Sequence, residues 1–262
     1  MTLLETVHRK FKMASVTRAR KLIKNGFVTV NKTVVARPDT VVLSSDIIEI
    51  VEHAARHRKK ANFEVLFEDD AILVAVKPAG ILVEDFFKQV CEYIPLILTH
   101  RLDQKVSGVM IFAKSAEIER KLEANWHLND KLYMALVEGV MPKPKGVIES
   151  WLLESAALKV HSVPANTPGA QKAVTHYRVI PAAPSKKQQK GDPTTRVEVS
   201  LETGRKNQIR VHLSELGCPI VGDEKYGAKT AVRGRIALHA FRLTFNHPLS
   251  GRRMTCSKET PF

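Results

Sequence analysis

The 262-residue sequence contains only three cysteines, Cys91, Cys218 and Cys256, and none of them forms a CxxC pair. A disulfide framework and a structural zinc site are therefore not expected, because both need paired or closely spaced cysteines. No apolar run reaches about 18 residues, so no membrane-spanning helix is expected. The first residues also lack the features of a signal peptide. These absences favour a globular, cytoplasmic protein.

Acidic residues are scarce relative to basic ones, with 27 Asp and Glu against 41 Lys and Arg, so the net charge is +14 at pH 7. Residues 1–60 alone contain 13 basic and 5 acidic side chains. Such a block attracts polyanions, because phosphates neutralised by it release their counterions. Composition alone would be explained equally well by a solvated face or by an anionic membrane surface.

The pattern of residues 1–52 predicts a small α/β module. Ser15 is a suitable N-cap for a helix over residues 16–25, and Gly26 is a suitable residue to end it. Alternating apolar residues then predict short strands at 27–30, 34–35 and 46–51. Residues 53–62, which include four basic side chains, predict a linker.

The pattern of residues 63–262 predicts a second, larger domain. Strands are predicted at 63–67, 72–76, 109–113, 133–137, 174–179, 197–201 and 238–245. Helices are predicted at 85–93, 116–128 and 206–216. Many strands with few intervening helices favour an α+β fold with a mixed, mainly antiparallel sheet. Residues 181–193 are rich in Pro, Lys and Gln, which predicts a surface insertion.

The segment from Ser15 to Asn31, SVTRARKLIKNGFVTVN, resembles the S4 RNA-binding domain. Residues 9–24 contain seven basic side chains and no acid, which gives phosphate binding a physical basis. The resemblance implies that Arg18, Lys21 and Lys24 contact structured RNA. Since A-form RNA hides its base edges, such a module would recognise shape and backbone.

Five further segments follow one another in the order of a second family. They are VKPAG at 76–80, HRLDQKVSG at 100–108, KLYMALVEG at 131–139, LETGRKNQIRVHL at 201–213, and the pair LHA at 238–240 with HP at 247–248. Together they resemble the RluA-like pseudouridine synthases, whose motifs are KPxG, HRLD followed by TSG, YxAxVxG and TGRxxQIRxH. The resemblance covers roughly 200 residues, and it implies the pseudouridine synthase fold for the larger domain.

The resemblance implies that Asp103 is the essential carboxylate. Pseudouridine forms when uracil is detached from C1′, rotated and rejoined through C5, so neither a cofactor nor a metal is required. An ionised carboxylate can attack C1′ as a nucleophile or remove a proton from C2′ as a base. The sequence does not choose between the two.

Arg210 is the candidate charge partner of Asp103. On the predicted helix it shares a polar face with Asn207 and Ser214, while Ile209 and Leu213 fall on the opposite, apolar stripe. The polar face could therefore line a cleft while the stripe anchors the helix. The resemblance likewise pairs this arginine with the catalytic aspartate.

Four other residues match positions of the family motifs. The resemblance implies that Tyr133 stacks on the target uracil after that base is flipped out of the RNA. It also implies that Arg101 binds RNA near the flipped base. Lys77 and Arg205 are candidates for further phosphate contacts, and a structural role is open for either.

The sequence therefore predicts an isomerase that converts specific uridines in structured RNA to pseudouridine. Ribosomal RNA is the first candidate substrate and tRNA the second, and a monomer is sufficient. Gln104, Val106 and Asn207 depart from the family pattern, which leaves a slower or retargeted enzyme open. The alternatives are a catalytically inactive RNA-binding or ribosome-assembly protein on the same fold, and a general polyanion binder.

Overall fold

The computed structural model describes residues 1–13, 15–24, 26–51, 62–181 and 193–262. Apart from their edge residues, the predicted linker at 53–62 and the predicted insertion at 181–193 lie outside the described residues.

Helices and strands alternate irregularly along the chain. The helices are α1 (Leu3–Lys10), α2 (Val16–Lys24), α3 (Val83–Tyr93), α4 (Ala116–Ala124) and α5 (Gln208–Glu215), with short 3-10 helices at Trp126–Leu128 and Glu224–Tyr226. The strands are β1 (Val28–Val30), β2 (Thr33–Val34), β3 (Ile48–Ile50), β4 (Glu64–Glu68), β5 (Ile72–Lys77), β6 (Ile97–Leu98), β7 (Ser107–Ala113), β8 (Asp130–Glu138), β9 (Lys145–Glu154), β10 (Val160–Val163), β11 (Gln171–Ile180), β12 (Thr194–Leu201), β13 (Leu238–Asn246) and β14 (Arg253–Ser257). None of the helices in the described ranges has the length and apolar character needed to cross a membrane.

The N-terminal module contains α1, α2 and a three-stranded sheet in the order β2-β1-β3. The Ser15 hydroxyl accepts a hydrogen bond from the backbone N–H of Arg18, so the predicted N-cap of α2 is confirmed. Helix α1 was not predicted, although Thr2 and Glu5 form a reciprocal capping box at its start. That spacing is a recognisable sequence signal for a helix N-terminus.

The larger domain is built on an eleven-stranded sheet whose main order is β10-β9-β11-β12-β8-β13-β7-β5-β4. Its strand pairs are antiparallel except for β7 with β13, which are parallel, so the predicted mixed, mainly antiparallel sheet is confirmed. Strands β6, β9, β10 and β14 were not predicted. Several residues of β9 are exposed and charged, so its sequence does not show the apolar alternation typical of a strand. Its backbone is held in the sheet by antiparallel pairing with β11.

A glycine sets the contact between β7 and β13. Gly108 has a φ of 134°, and a Cβ added there would come within 2.4 Å of the carbonyl oxygen of Ala240. Only glycine permits this close approach of two backbones. The loop that precedes β7 is therefore held beside β13, at the centre of the sheet.

An apolar core is continuous from the N-terminal module into the larger domain. Leu22 and Ile23 of α2 belong to the same buried cluster as Val109 and Ile111 of β7 and Ile118 of α4. Burying side chains of this kind stabilises by about 1.5–3 kcal/mol each. The module is thus packed against the strand that follows the HRLD loop.

A buried carboxylate completes this interface. Glu119 of α4, with only 5% of its side chain exposed, forms ion pairs with Arg18 and Lys21 of α2. Arg18 also donates to the carbonyl of Ala116 at 2.7 Å, and Lys21 donates to the carbonyl of Leu98 at 2.8 Å. These contacts tie Arg18 and Lys21 to the larger domain, and the RNA contacts expected of them stay a prediction. Lys24 is exposed.

We expect Glu119→Gln to destabilise the docking of the module, because two partly buried cations would lose their counter-charge. The expected loss is about 2–4 kcal/mol of unfolding free energy, measured by urea denaturation. Glu117→Gln is the matched control: Glu117 pairs with Lys121 one turn away on the exposed face of α4, and the control should lose less than about 0.5 kcal/mol. Equal losses in the two variants would show that the Glu119 pairs contribute no more than a surface pair.

Candidate active site

The loop that carries Asp103 is supported from below by Lys77. Its side chain is completely buried, and its amine donates to the carbonyls of Pro78 and Val106 at 2.9 Å, Gln104 at 3.2 Å and Asp103 at 3.3 Å. Burial lowers the pKa of Lys77 to about 8, while the charge of Asp103 opposes the fall, so the amine is mainly protonated at pH 7. This burial and these four carbonyl partners give Lys77 a structural role in the loop.

The same loop is fixed at both ends. Gly80 and Gln104 bond each other twice, since the Gly80 N–H donates to the Gln104 carbonyl at 2.8 Å and the Gln104 amide donates back to the Gly80 carbonyl at 3.2 Å. At the start of the loop, His100 Nε2 accepts the backbone N–H of Ile111 at 3.1 Å. Gln104, a departure from the family pattern, thus fastens the Asp103 loop to the turn at Gly80.

The lowered pKa of His100 leads us to expect that the stability of the protein depends on pH. Burial, together with the nearby charge of Lys131, lowers the pKa of His100 to about 3, so the ring is neutral in the fold and protonates near pH 6.5 when unfolded. Its contribution is present above pH 6.5 and is lost as the pH falls toward 3. Each pH unit in that window should cost up to about 1.4 kcal/mol.

The measurement compares urea denaturation between pH 4 and 7 for the native chain and for His100→Gln. The variant should be less stable at pH 7 but should lose stability less steeply as the pH falls. His127→Gln changes an exposed histidine and serves as the control. An unchanged pH slope in His100→Gln would contradict the assignment of a neutral His100, and the remaining slope would then belong to other buried histidines such as His212.

Asp103 and Arg210, 107 positions apart, meet in the structure as predicted. Arg210 Nη1 lies 3.0 Å from Asp103 Oδ2. The remaining face of the guanidinium makes a bidentate pair with Asp223, at 2.7 Å and 2.8 Å. Burial opposes ionisation of Arg210, but the ion pair with Asp223, and then that with Asp103, raise its pKa. Arg210 therefore presents a permanent positive charge in one orientation.

Asn207 and Tyr226 orient the same guanidinium. The Asn207 side-chain oxygen accepts from Arg210 Nη1 at 3.0 Å, and its amide donates to the Tyr226 hydroxyl at 3.0 Å. The guanidinium carbon lies 4.9 Å from the centre of the Tyr226 ring, a cation–π distance. Asn207 has a left-handed φ of 53° at the start of α5. Asparagine tolerates this conformation, which explains its place in a tight turn.

Asp103 opens into a cavity of about 380 Å³. This volume is within the range of small-ligand sites. Asp103 is the one acidic side chain among the described residues that line it, whereas several cations do so. The predicted residues Arg101, Tyr133, Arg205 and Arg210 all line this cavity. Lys77, Arg18, Lys21 and Lys24 are not among its lining residues.

Tyr133 faces the cavity from β8. Burial, and then the charge of Asp103, raise the pKa of Tyr133 to about 12, so its phenol stays neutral at pH 7. A neutral ring beside Asp103 suits stacking on a flat base. Arg205 is exposed and donates from Nε to the carbonyl of Lys172 at 3.1 Å, which fixes one edge of its guanidinium and leaves the other available. Arg101 is also exposed.

Sequence reasoning gave no role to Asp223, Trp126 or Lys131. The segment GDEKYG at 222–227, which contains Asp223, also resembles the family pattern, and that match was the signal available for it. Trp126 and Lys131 line the cavity beside Tyr133. No group of three or more His, Cys, Asp or Glu that could hold a metal occurs in the part of the chain that the structure describes.

Comparison with known proteins agrees with this geometry. Residues 71–215 match the family model for RNA pseudouridylate synthase, and residues 1–48 match that for the S4 domain. Ribosomal large subunit pseudouridine synthase D of Pseudomonas aeruginosa is 31% identical over 277 residues, covering 91% of this chain and 82% of the relative. Dual-specificity RNA pseudouridine synthase RluA of Vibrio cholerae is 33% identical over 201 residues, covering 71% of this chain and 78% of the relative.

A solved structure shares the fold. Human RNA pseudouridylate synthase domain containing 4 is 26% identical, with a TM-score of 0.60 over 76% of this chain and 88% of that one. The family match spans more than half of the 262 residues. The chain therefore belongs to the RNA pseudouridylate synthase family and is an isomerase that carries an S4 domain in front of its catalytic domain.

Proposed function

We propose that this isomerase converts specific uridines of ribosomal RNA to pseudouridine, with Asp103 as the catalytic carboxylate. The observation that carries the proposal is the position of Asp103. It is the only acidic side chain among the described residues lining a cationic cavity, and it is held there by Arg210 at 3.0 Å. A carboxylate aimed at the sugar of a bound nucleotide is what the reaction needs.

Two routes use this carboxylate, and both balance. In the first, an Asp103 oxygen attacks C1′ and the C1′–N1 bond breaks, so that the uracil leaves as an anion. In the second, Asp103 removes the C2′ proton and the same bond breaks by elimination. In the first route the rotated uracil attacks C1′ through C5 and displaces the carboxylate. In the second route C5 bonds to C1′ of the glycal while Asp103 returns the proton to C2′ and becomes a carboxylate again. C5 then loses its hydrogen as a proton and N1 gains one, so the product is an isomer.

Arg210 and Tyr133 have supporting roles in this proposal. The fixed guanidinium keeps Asp103 oriented and stabilises its charge before the substrate arrives, which avoids reorganisation during the reaction. The Tyr133 ring stacks on the uracil, and stacking of this kind is worth about 1–3 kcal/mol. It offsets the few kcal/mol needed to take a base out of an RNA helix.

Ribosomal RNA is the proposed substrate for two reasons. The S4 domain places exposed basic residues such as Lys24 in front of the catalytic domain. The match to the relative from P. aeruginosa, which is named for the large ribosomal subunit, covers 91% of this chain. The relative named tRNA pseudouridine synthase C covers 73%, and tRNA is the second candidate.

Tritium release tests the proposal. Unmodified large-subunit ribosomal RNA and tRNA transcripts carrying tritium at uracil C5 are incubated with the full chain. Formation of the C1′–C5 bond expels that hydrogen, so release proportional to pseudouridine content is expected from ribosomal RNA. Release from tRNA alone would make tRNA the substrate in place of ribosomal RNA. Tight binding of both RNAs without release from either would favour an RNA-binding protein that has lost turnover.

A further inference from the structure

Trp126 and Lys131 form one wall of the cavity, and the reaction described above does not use them. Trp126 lies in the 3-10 helix after α4, and Lys131 lies at the start of β8. The Lys131 amine lies 5.2 Å from the centre of the Trp126 ring, and the His100 ring lies 4.9 Å from the same ring. Both residues line the cavity that contains Asp103.

Lys131 is a cation without an acidic partner among the described residues. No described carboxylate lies within ion-pairing distance of it, and its neighbour Asp130 is bound to Arg253 at 2.5 Å. Burial lowers the pKa of Lys131. Holding a half-buried ammonium unpaired costs free energy, and a protein recovers that cost when an anion binds.

The other cavity cations differ from Lys131 in this respect. Arg210 is paired with Asp103 and Asp223, and Lys206 is paired with Glu154. Arg101 and Arg205 are exposed to solvent. Among the described residues that line the cavity, Lys131 is thus the half-buried cation that has no carboxylate partner.

The position of Lys131 on β8 identifies the anion. Lys131 and Tyr133 are two residues apart, so their side chains leave the strand on the same face, about 6.6 Å apart. We propose that Lys131 binds a backbone phosphate of the RNA next to the target uridine, while Tyr133 stacks on the uracil. This inference rests on the proposed function for its choice of ligand. It makes the Trp126–Lys131 wall a phosphate subsite.

Salt dependence of RNA binding tests this subsite. Dissociation constants are measured for the full chain with the unmodified ribosomal RNA transcript at several salt concentrations, in an Asp103→Asn background so that the RNA stays unmodified. Each phosphate contact that is lost lowers the slope of log Kd against log salt by about 0.7–0.9. Lys131→Met, which keeps the stem over Trp126, should lower the slope by that amount and weaken binding about tenfold at low salt. Lys131→Arg should restore both.

Lys88→Met is the control, because Lys88 is exposed on α3, is paired with Asp85 and is not among the lining residues. It should leave the slope unchanged. An unchanged slope in Lys131→Met with a lowered melting temperature would overturn the proposal, because Lys131 would then serve only to cover Trp126. Weaker binding with an unchanged slope, matched by Trp126→Ala, would also overturn it in favour of a base stacked on the tryptophan.

The binding experiment is independent of turnover. If native protein released no tritium while the Lys131 variants still changed the salt slope, the proposed reaction would fail and the phosphate subsite would stand. If tritium were released at full rate by Lys131→Met with an unchanged slope, the subsite would fail and the reaction would stand.

Discussion

Asp103→Asn is expected to abolish tritium release from ribosomal RNA, with a loss of more than about a thousandfold. An amide neither attacks C1′ nor removes the C2′ proton at a useful rate, and losses of this size follow removal of a group that acts in the chemical step. The exchange is nearly isosteric, so the hydrogen bond from Arg210 Nη1 can persist. RNA binding should therefore be retained. Release is followed over a time course at saturating RNA.

Asp85→Asn is the matched control for this variant. Asp85 is half-exposed on α3, pairs with Lys88 and does not line the cavity. Its variant should turn over at the native rate. Asp103→Asn with native turnover would remove Asp103 from the chemistry and leave the cationic cavity without a catalytic acid.

Lys77→Met should produce the largest loss of stability. The carbonyls of Pro78, Asp103, Gln104 and Val106 would lose their common donor. Buried acceptors without a hydrogen-bond partner lower the free energy of unfolding. The expected loss is about 3–5 kcal/mol, which corresponds to a lower melting temperature by roughly 10 °C for a chain of this size. Turnover measured below the unfolding transition should also fall about a hundredfold, because small displacements of a catalytic group have effects of that order.

Lys114→Met separates the two effects of Lys77. Lys114 is also buried, but its partner is Glu68 at 2.8 Å, and neither residue lines the cavity. Its variant should lose stability and keep its turnover per folded molecule. If Lys77→Met likewise lost stability alone, Lys77 would be part of the general core with no role in positioning Asp103.

Much of this architecture could be predicted because local signals and motif order agree. The Ser15 cap, the mixed sheet and the side of α5 that carries Arg210 all follow from residue spacing. The meeting of Asp103 with Arg210 was expected for the same reason, together with the family pattern. Long-range geometry added Asp223, since its carboxylate reaches Arg210 only after α5 and the following turn fold back.

Burial explains what the sequence could not predict about three basic residues. Lys77, Arg18 and Lys21 are basic residues within recognised motifs, and a basic residue in an RNA-binding sequence suggests phosphate contact. The structure uses all three to bind the protein itself. Whether a lysine side chain faces solvent or protein carbonyls depends on the residues that pack around it in the fold. Those residues are distant in sequence, as Glu119 is from Lys21 of α2.

The shared core between α2 and β7 has a geometric consequence. Because Leu22 and Ile23 pack with Val109 and Ile111, the exposed end of α2 and the mouth of the cavity keep a fixed separation. The module and the catalytic domain are therefore joined by a common apolar core. If the exposed Lys24 of α2 binds RNA, as the sequence predicts, we expect a short oligonucleotide with the right uridine but without a second structured element to be a poor substrate.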